Sequence, residues 1–181
     1  KTFKNASMSP TITLWYDVLS GTDDDDVLDD NMSTFNTLQD TGHKFYGFMD
    51  HFTNSRNLGT GYYGLQDIAI KTKWKVSDKN TLKADFHHFH TAVELDDTDS
   101  DNLRGNDANF GSVSTGTMNG DMGQEIDLVL VNKYDSNTKV IAGYSHYFSS
   151  TAFSTINGGG GTAGANSNGD QDYWWLMVDT K

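Results

Sequence analysis

The stretch GLQDIAIKTKWKV, residues 64–76, decides how this chain is to be read. Ile68, Ile70, Trp74 and Val76 share one parity, and Asp67, Lys71, Lys73 and Lys75 share the other. A period of two belongs to a β-strand with one apolar and one polar face. The same alternation recurs at 9–19 (SPTITLWYDVL), 80–95 (NTLKADFHHFHTAVEL), 122–134 (MGQEIDLVLVNKY), 138–151 (TKVIAGYSHYFSST) and 171–181 (QDYWWLMVDTK). In the first of these, Ile12, Leu14, Tyr16 and Val18 oppose Thr11, Thr13 and Asp17. Six strands are therefore expected, with almost no helical periodicity.

The connections come in two sorts. SDKN at 77–80 and DSNT at 135–138 are tight and built from turn-forming residues. The stretches 20–63, 96–121 and 152–170 are long and polar, the last containing NGGGGTAGANSNG. Long and short connections alternate strictly, so every long one falls on the same side of the sheet. That order is expected of an antiparallel transmembrane β-barrel, with short periplasmic turns and long external loops. The count requires 20–63, including HKFYGFMDHF at 43–52, to be one external excursion. A seventh strand at 43–52 would put long loops on both sides.

Aromatic placement bears on the same choice, because alternation alone also suits a soluble β-sandwich with an aromatic core. Trp74 and Tyr134 stand just before the tight turns, and Phe148 and Trp174 near long connections. All four are expected on the outward face, as two membrane belts. In the last strand, Trp174, Leu176, Val178 and Thr180 are expected toward lipid, and Trp175, Met177, Asp179 and Lys181 toward the lumen or a neighbouring strand.

Composition narrows the function. The chain of 181 residues carries 25 acidic against 13 basic side chains, a net charge of −12. Such a balance argues against nucleic acid, which needs a basic footprint. It has no cysteine, hence no disulfide framework and no thiolate metal site. No window holds the roughly 18 consecutive apolar residues of a transmembrane helix. The chain starts at Lys1, which is expected of a mature product, a processed chain or a fragment.

Within a barrel, function lies in the lumen and the loops. Lys71, Lys73 and Lys75 share an inward parity, and Lys83 and Lys133 are expected beside them on neighbouring strands. A cationic stripe would concentrate anions in a pore. The competing reading is a merely wet lumen, in which Asp67, Asp85, Glu125 and Asp127 pair with those lysines. The runs DDDD at 23–26, DD at 29–30 and DDTDSDN at 96–102 fall in expected external loops. They read as solvated acidic loop, with Ca²⁺ at Asp97, Asp99 and Asp101 as the alternative.

His88 and His90 share a face opposite His87, and nothing nearby completes a zinc site. Phe86 and Phe89 cannot both face lipid under strict alternation, so a β-bulge is expected near His87–His88. No serine lies in a nucleophile elbow, and no residue set argues for catalysis.

A family resemblance rests on FNTLQDTGHKFYGFMDHF at 35–52, GLQDIAIKTKW, TLKADFHHF, GQEIDLVLVNKY, IAGYSHYF and YWWLMVDTK. These look like the C-terminal half of the bacterial alginate-export family of outer-membrane barrels, from about residue 9 to the end. The TGHKFYGFMD loop and the GQEIDL…GYSHYF strand pair are its most specific parts. The resemblance implies an outer-membrane location, a periplasmic C-terminus and a basic lumen conducting an anionic polysaccharide.

Chains of that family are typically much longer and close with an aromatic residue, whereas this one stops at Lys181. Barrels start at about eight strands. Residues 1–181 are thus expected to be the C-terminal part of one barrel domain, closed by missing N-terminal strands or another chain. Its partners would be outer-membrane lipid and an anionic solute or polysaccharide. The alternative function is a structural or adhesive barrel whose acidic loops are the working surface.

Overall fold

The computed structural model describes residues 1–22, 33–35, 45–52, 63–93, 120–157 and 169–181. Six strands form one sheet, β1 (Thr11–Leu19), β2 (Leu65–Lys75), β3 (Asn80–His90), β4 (Asp121–Lys133), β5 (Thr138–Phe148) and β6 (Gln171–Thr180). They lie in sequence order, every neighbouring pair antiparallel, with β1 and β6 at the two edges. This is an open all-β meander of the kind a larger barrel would contain. The start of β1 is paired by the chain's first residues: Ile12 N donates to Lys1 O and Phe3 N to Pro10 O.

Both tight turns close on side-chain hydrogen bonds. Asn80 N donates to Ser77 Oγ, and the Asp135 carboxylate accepts from the backbones of Asn137 at 2.8 Å and Thr138 at 2.7 Å. Those two donors hold the Asp135 carboxyl below the usual aspartate range. Residues 45–52 contain no strand, as the loop order required.

Two boundaries differ from the alternation. The fifth strand stops at Phe148, and a one-and-a-half-turn helix, α1 (Thr151–Asn157), follows. Ser150 caps it, its hydroxyl accepting from Phe153 N. In β3 the alternation passes unbroken through His87–His88, and the register shift comes later, at Phe89/His90 opposite Asp121 and Gly123. The reason is that Phe89 turns inward, its ring 4.3 Å from Phe52, so the conflict with Phe86 is resolved by burial. Gly123, at φ +104°, supplies a backbone conformation that L side chains rarely adopt beside that shift.

The two faces differ in kind. One is covered by residues 45–52 and α1, and a cluster of Leu19, Phe52, Leu65, Phe89, Met122, Tyr147 and Phe153 closes it at the long-connection end. The other is bare and apolar: Leu14 is 78% exposed, Trp174 79%, Leu176 70% and Ile68 56%.

On the bare face the apolar band slants across the hydrogen-bonded rungs. Its last polar residue toward the long connections is Gln66 on β2, His88 on β3, Gln124 on β4 and Asp172 on β6. Following the register, Asp172 stands two rungs from Gln66. At the other end the band runs from Val76, just past β2, to Val178 on β6, on the same rung.

Candidate functional site: the covered face and its strap

Residues 45–52 cross the covered face as a strap. Phe45 stacks on Trp15 of β1 with ring centroids 6.0 Å apart, and Phe48 meets Trp175 of β6 at 5.8 Å. Between them Gly47 bends the chain at φ +82°, and its Cα lies so close to the Glu125 carboxyl that a Cβ would collide with it. Hydrogen bonds anchor the strap. Tyr46 Oη donates to Asp17 Oδ2 at 2.9 Å, Lys71 Nζ to Phe45 O at 3.2 Å, and Met49 N to Glu125 Oε1 at 2.9 Å. Burial, then the hydrogen bond and charge of Asp17, push the Tyr46 hydroxyl far above its ordinary range. It therefore remains a donor.

The far end of the strap is held by packing. The His51 ring sits 4.5 Å from Tyr147 and 5.1 Å from Phe153, and among the described residues its buried Nε2 has no hydrogen-bond partner. Burial lowers the imidazole below its ordinary 6.5, against the opposing charge of Asp50. A depressed histidine favours the folded state fully above the unfolded value and less as pH falls below it. Acidification from pH 7.5 to 5 should therefore lower the protection factor of the Met49 amide in the native protein, its exchange being referred to the intrinsic rate at each pH. The drop should be smaller in His51→Phe, and an equal drop in both would remove His51 from the account.

Beneath the strap the register assembles an acidic cluster. Ala69, His87, Glu125 and Tyr147 occupy one rung, and Lys71, Asp85, Asp127 and Ser145 the next. Same-face neighbours on adjacent rungs are within side-chain reach. His87 Nδ1 lies 3.0 Å from both Asp67 carboxylate oxygens, and its Nε2 4.0 Å from Asp127 Oδ2. Ser145 Oγ donates to Asp127 Oδ1 at 2.5 Å. Asp67 and Glu125 are both 0% exposed, and among the described residues no N–H or hydroxyl donor reaches Glu125 Oε2 or Asp127 Oδ2. Because Ser145 bonds an aspartate and not His87, the arrangement is not a nucleophile–base pair.

The basic candidates lie on the same face, toward the tight turns. Lys71 is half-buried, with its ammonium 5.6 Å over the Trp15 ring. Lys73 faces Lys83 directly across β2 and β3, and Lys133 faces Lys139 across β4 and β5. Lys75, Lys83 and Lys133 are exposed. Lys139, which the alternation did not single out, pairs with Asp179 at 3.5 Å. Asp85 is half-buried and accepts from Thr72 N at 3.2 Å. Asp67, Glu125 and Asp127 gather around His87 rather than around the lysines.

The remaining candidates lie elsewhere. Trp74, Tyr134, Phe148 and Trp174 stand on the bare face or at its turn-side rim, Tyr134 68% exposed. His88 and His146 also face that way, each beside an aspartate, Asp121 and Asp172. Asp97, Asp99 and Asp101 lie outside the described residues, as do the runs at 23–26 and 29–30. Among the described residues no group of three or more His, Asp or Glu is arranged to hold a metal ion.

Residues 1–162 match the alginate-export family. The chain belongs to that family. The match takes in β1–β5, α1 and the strap, and β6 continues the same sheet in unbroken register beyond it. Membership places the chain in an outer-membrane family and ties it to polysaccharide export across that membrane. No curated protein and no solved structure matches the chain.

No local pattern announced the strap's seat. TGHKFYGFMD stood out as a motif, and Gly47 within it is the residue whose missing side chain lets the strap lie on Glu125.

Proposed function

We propose that this alginate-export family chain forms part of a transmembrane barrel wall and conducts anionic polysaccharide or smaller anions along its covered face. The bare face then meets lipid. Several features support the membrane reading. The apolar band spans all six strands, and a contiguous exposed apolar surface marks a membrane or partner face. Strands of 9 to 13 residues suit a tilted crossing. The upper edge of the band slants in the sense a tilted crossing needs. Two rungs are roughly 13 Å and four strand spacings roughly 19 Å, an inclination of about 35°. Barrel strands incline at about 35–45°.

In this reading the tight turns and the C-terminus are periplasmic and the long connections external. Trp174 on β6 stands just inside the upper polar edge, and Trp74 and Tyr134 mark the lower one. Strands beyond β1 and β6, from the same or another chain, close the wall, since open edges cannot stand in hydrocarbon.

The observation that carries the transport reading is the cross-strand lysine couple Lys73 with Lys83, the second couple, Lys133 with Lys139, being part-neutralised by Asp179. Like charges directly opposite on a sheet repel. An anion passing between them relieves that repulsion. The reading assigns transport and no covalent chemistry.

The test is conductance of the complete protein in planar bilayers. Wild type should prefer anions, and Lys71→Gln/Lys73→Gln/Lys83→Gln should lower the anion-to-cation permeability ratio several-fold. The difference should shrink as salt rises, because screening shortens to about 8 Å near 0.15 M. Cation preference in wild type would refute the charge argument, and absence of any conductance would favour a structural or adhesive barrel.

A further inference from the structure

The interior of a membrane barrel is ordinarily polar, yet β6 turns a row of large apolar or aromatic side chains to the covered face. Tyr173 is 39% exposed and Met177 46%, with half-buried Trp175 between them. Trp175 does not fill a core. It faces Gly143 across the β5–β6 rung, and its indole lies over that glycine, where any Cβ would strike it. A missing side chain lets the ring rest on the strand, one π-face down. Phe48 of the strap approaches it at 5.8 Å with planes inclined by 39°. On the same rung, across β3 and β2, stand Lys83 and Lys73. Three strand spacings, roughly 14 Å, separate Lys83 from Trp175.

A pyranose ring has one face of C–H groups that packs on an aromatic π-face, while any carboxylate on the same chain seeks ammonium groups. We propose that Trp175, seated on Gly143 and flanked by Tyr173 and Phe48, is a stacking platform for the sugar rings of the passing polysaccharide. Lys73 and Lys83 hold the charged groups of neighbouring residues. The inference rests on the transport reading above and adds to it: recognition here is of the sugar ring as well as of its charge, so an uncharged glycan binds too.

The experiment adds a neutral malto-oligosaccharide or a uronate oligosaccharide to the complete protein. Block of single-channel current is read alongside a change in tryptophan emission measured in detergent. Trp175→Ala should weaken the apparent affinity for both sugars about tenfold, its folding being checked by the far-UV circular dichroism of the detergent-solubilised protein. Trp175→Phe should retain most of the affinity. Lys73→Gln/Lys83→Gln should weaken only the uronate. Unchanged binding of the neutral sugar in Trp175→Ala overturns the platform even where the lysine variants behave as expected. If wild type carries no current, the emission change decides: present in wild type and lost in Trp175→Phe, it supports the platform, and its absence in wild type overturns it. A misfolded Trp175→Ala is recognised by loss of the β-sheet circular dichroism, and the Phe and Lys variants then carry the test.

Discussion

Gly47→Val should release the strap from the covered face, the largest change in conductance of any single substitution in this chain. Two costs add. The native φ of +82° lies where a β-branched residue is a genuine outlier, at roughly 1–3 kcal/mol. The new side chain would also displace the Glu125 carboxyl and break its bond from Met49 N, worth about 0.5–1.5 kcal/mol. A sum of roughly 3 kcal/mol shifts the docked-to-free ratio by about a hundredfold.

In the barrel reading the strap narrows the bore, so unitary conductance should rise several-fold, and protease should cut within 45–52 sooner. Gly47→Asn separates the two costs, since asparagine accepts positive φ but still meets Glu125. Equal effects from Asn and Val would assign the seat to the close approach. Unaltered conductance and cleavage in Gly47→Val would show that the strap does not obstruct the path.

His87→Leu should be the most destabilising substitution in the sheet. Asp67 is fully buried, and the His87 imidazole is the hydrogen-bond partner of both its oxygens. Breaking a buried pair by removing one member leaves an uncompensated charge, at roughly 3–5 kcal/mol. The urea midpoint of the detergent-solubilised protein should fall accordingly. Asp67→Asn/His87→Leu should recover part of the loss, because a neutral amide is cheaper to bury than a lone carboxylate. If the single variant unfolds at the wild-type midpoint, the cluster is wetter than its geometry implies. The strap reads out the same cluster: Glu125 lies one rung from Asp127 and receives Met49 N, so His87→Leu should also loosen residues 45–52.

Alternation is a local property, and it was sufficient to place Ile68 and Ile70 opposite Asp67 and Lys71, and Trp174 and Leu176 opposite Trp175 and Met177. It failed where side chains compete for the same space. Phe86 and Phe89 have opposite parities, and only the presence of Phe52 across the sheet end explains why Phe89 turns inward. The stop of β5 at Phe148 was likewise not legible, because α1 depends on docking Ala152 and Phe153 into a cluster drawn from distant strands. Lys139 escaped notice because its partner, Asp179, lies on a strand 40 residues away.

The order of residues by itself determined the strands, their turns and the chemistry of each face, since a period of two and a turn's Ser or Asp act over a few residues. Tertiary structure alone decided that acids gather on His87 instead of on the lysines and that residues 45–52 lie across the sheet. Both depend on groups brought together from far apart, Met49 and Glu125 being 76 residues distant. Neighbourhood along the chain carries no record of such an approach; the space a missing Cβ leaves at Gly47 and Gly143 does, but only once the opposing side chain is known.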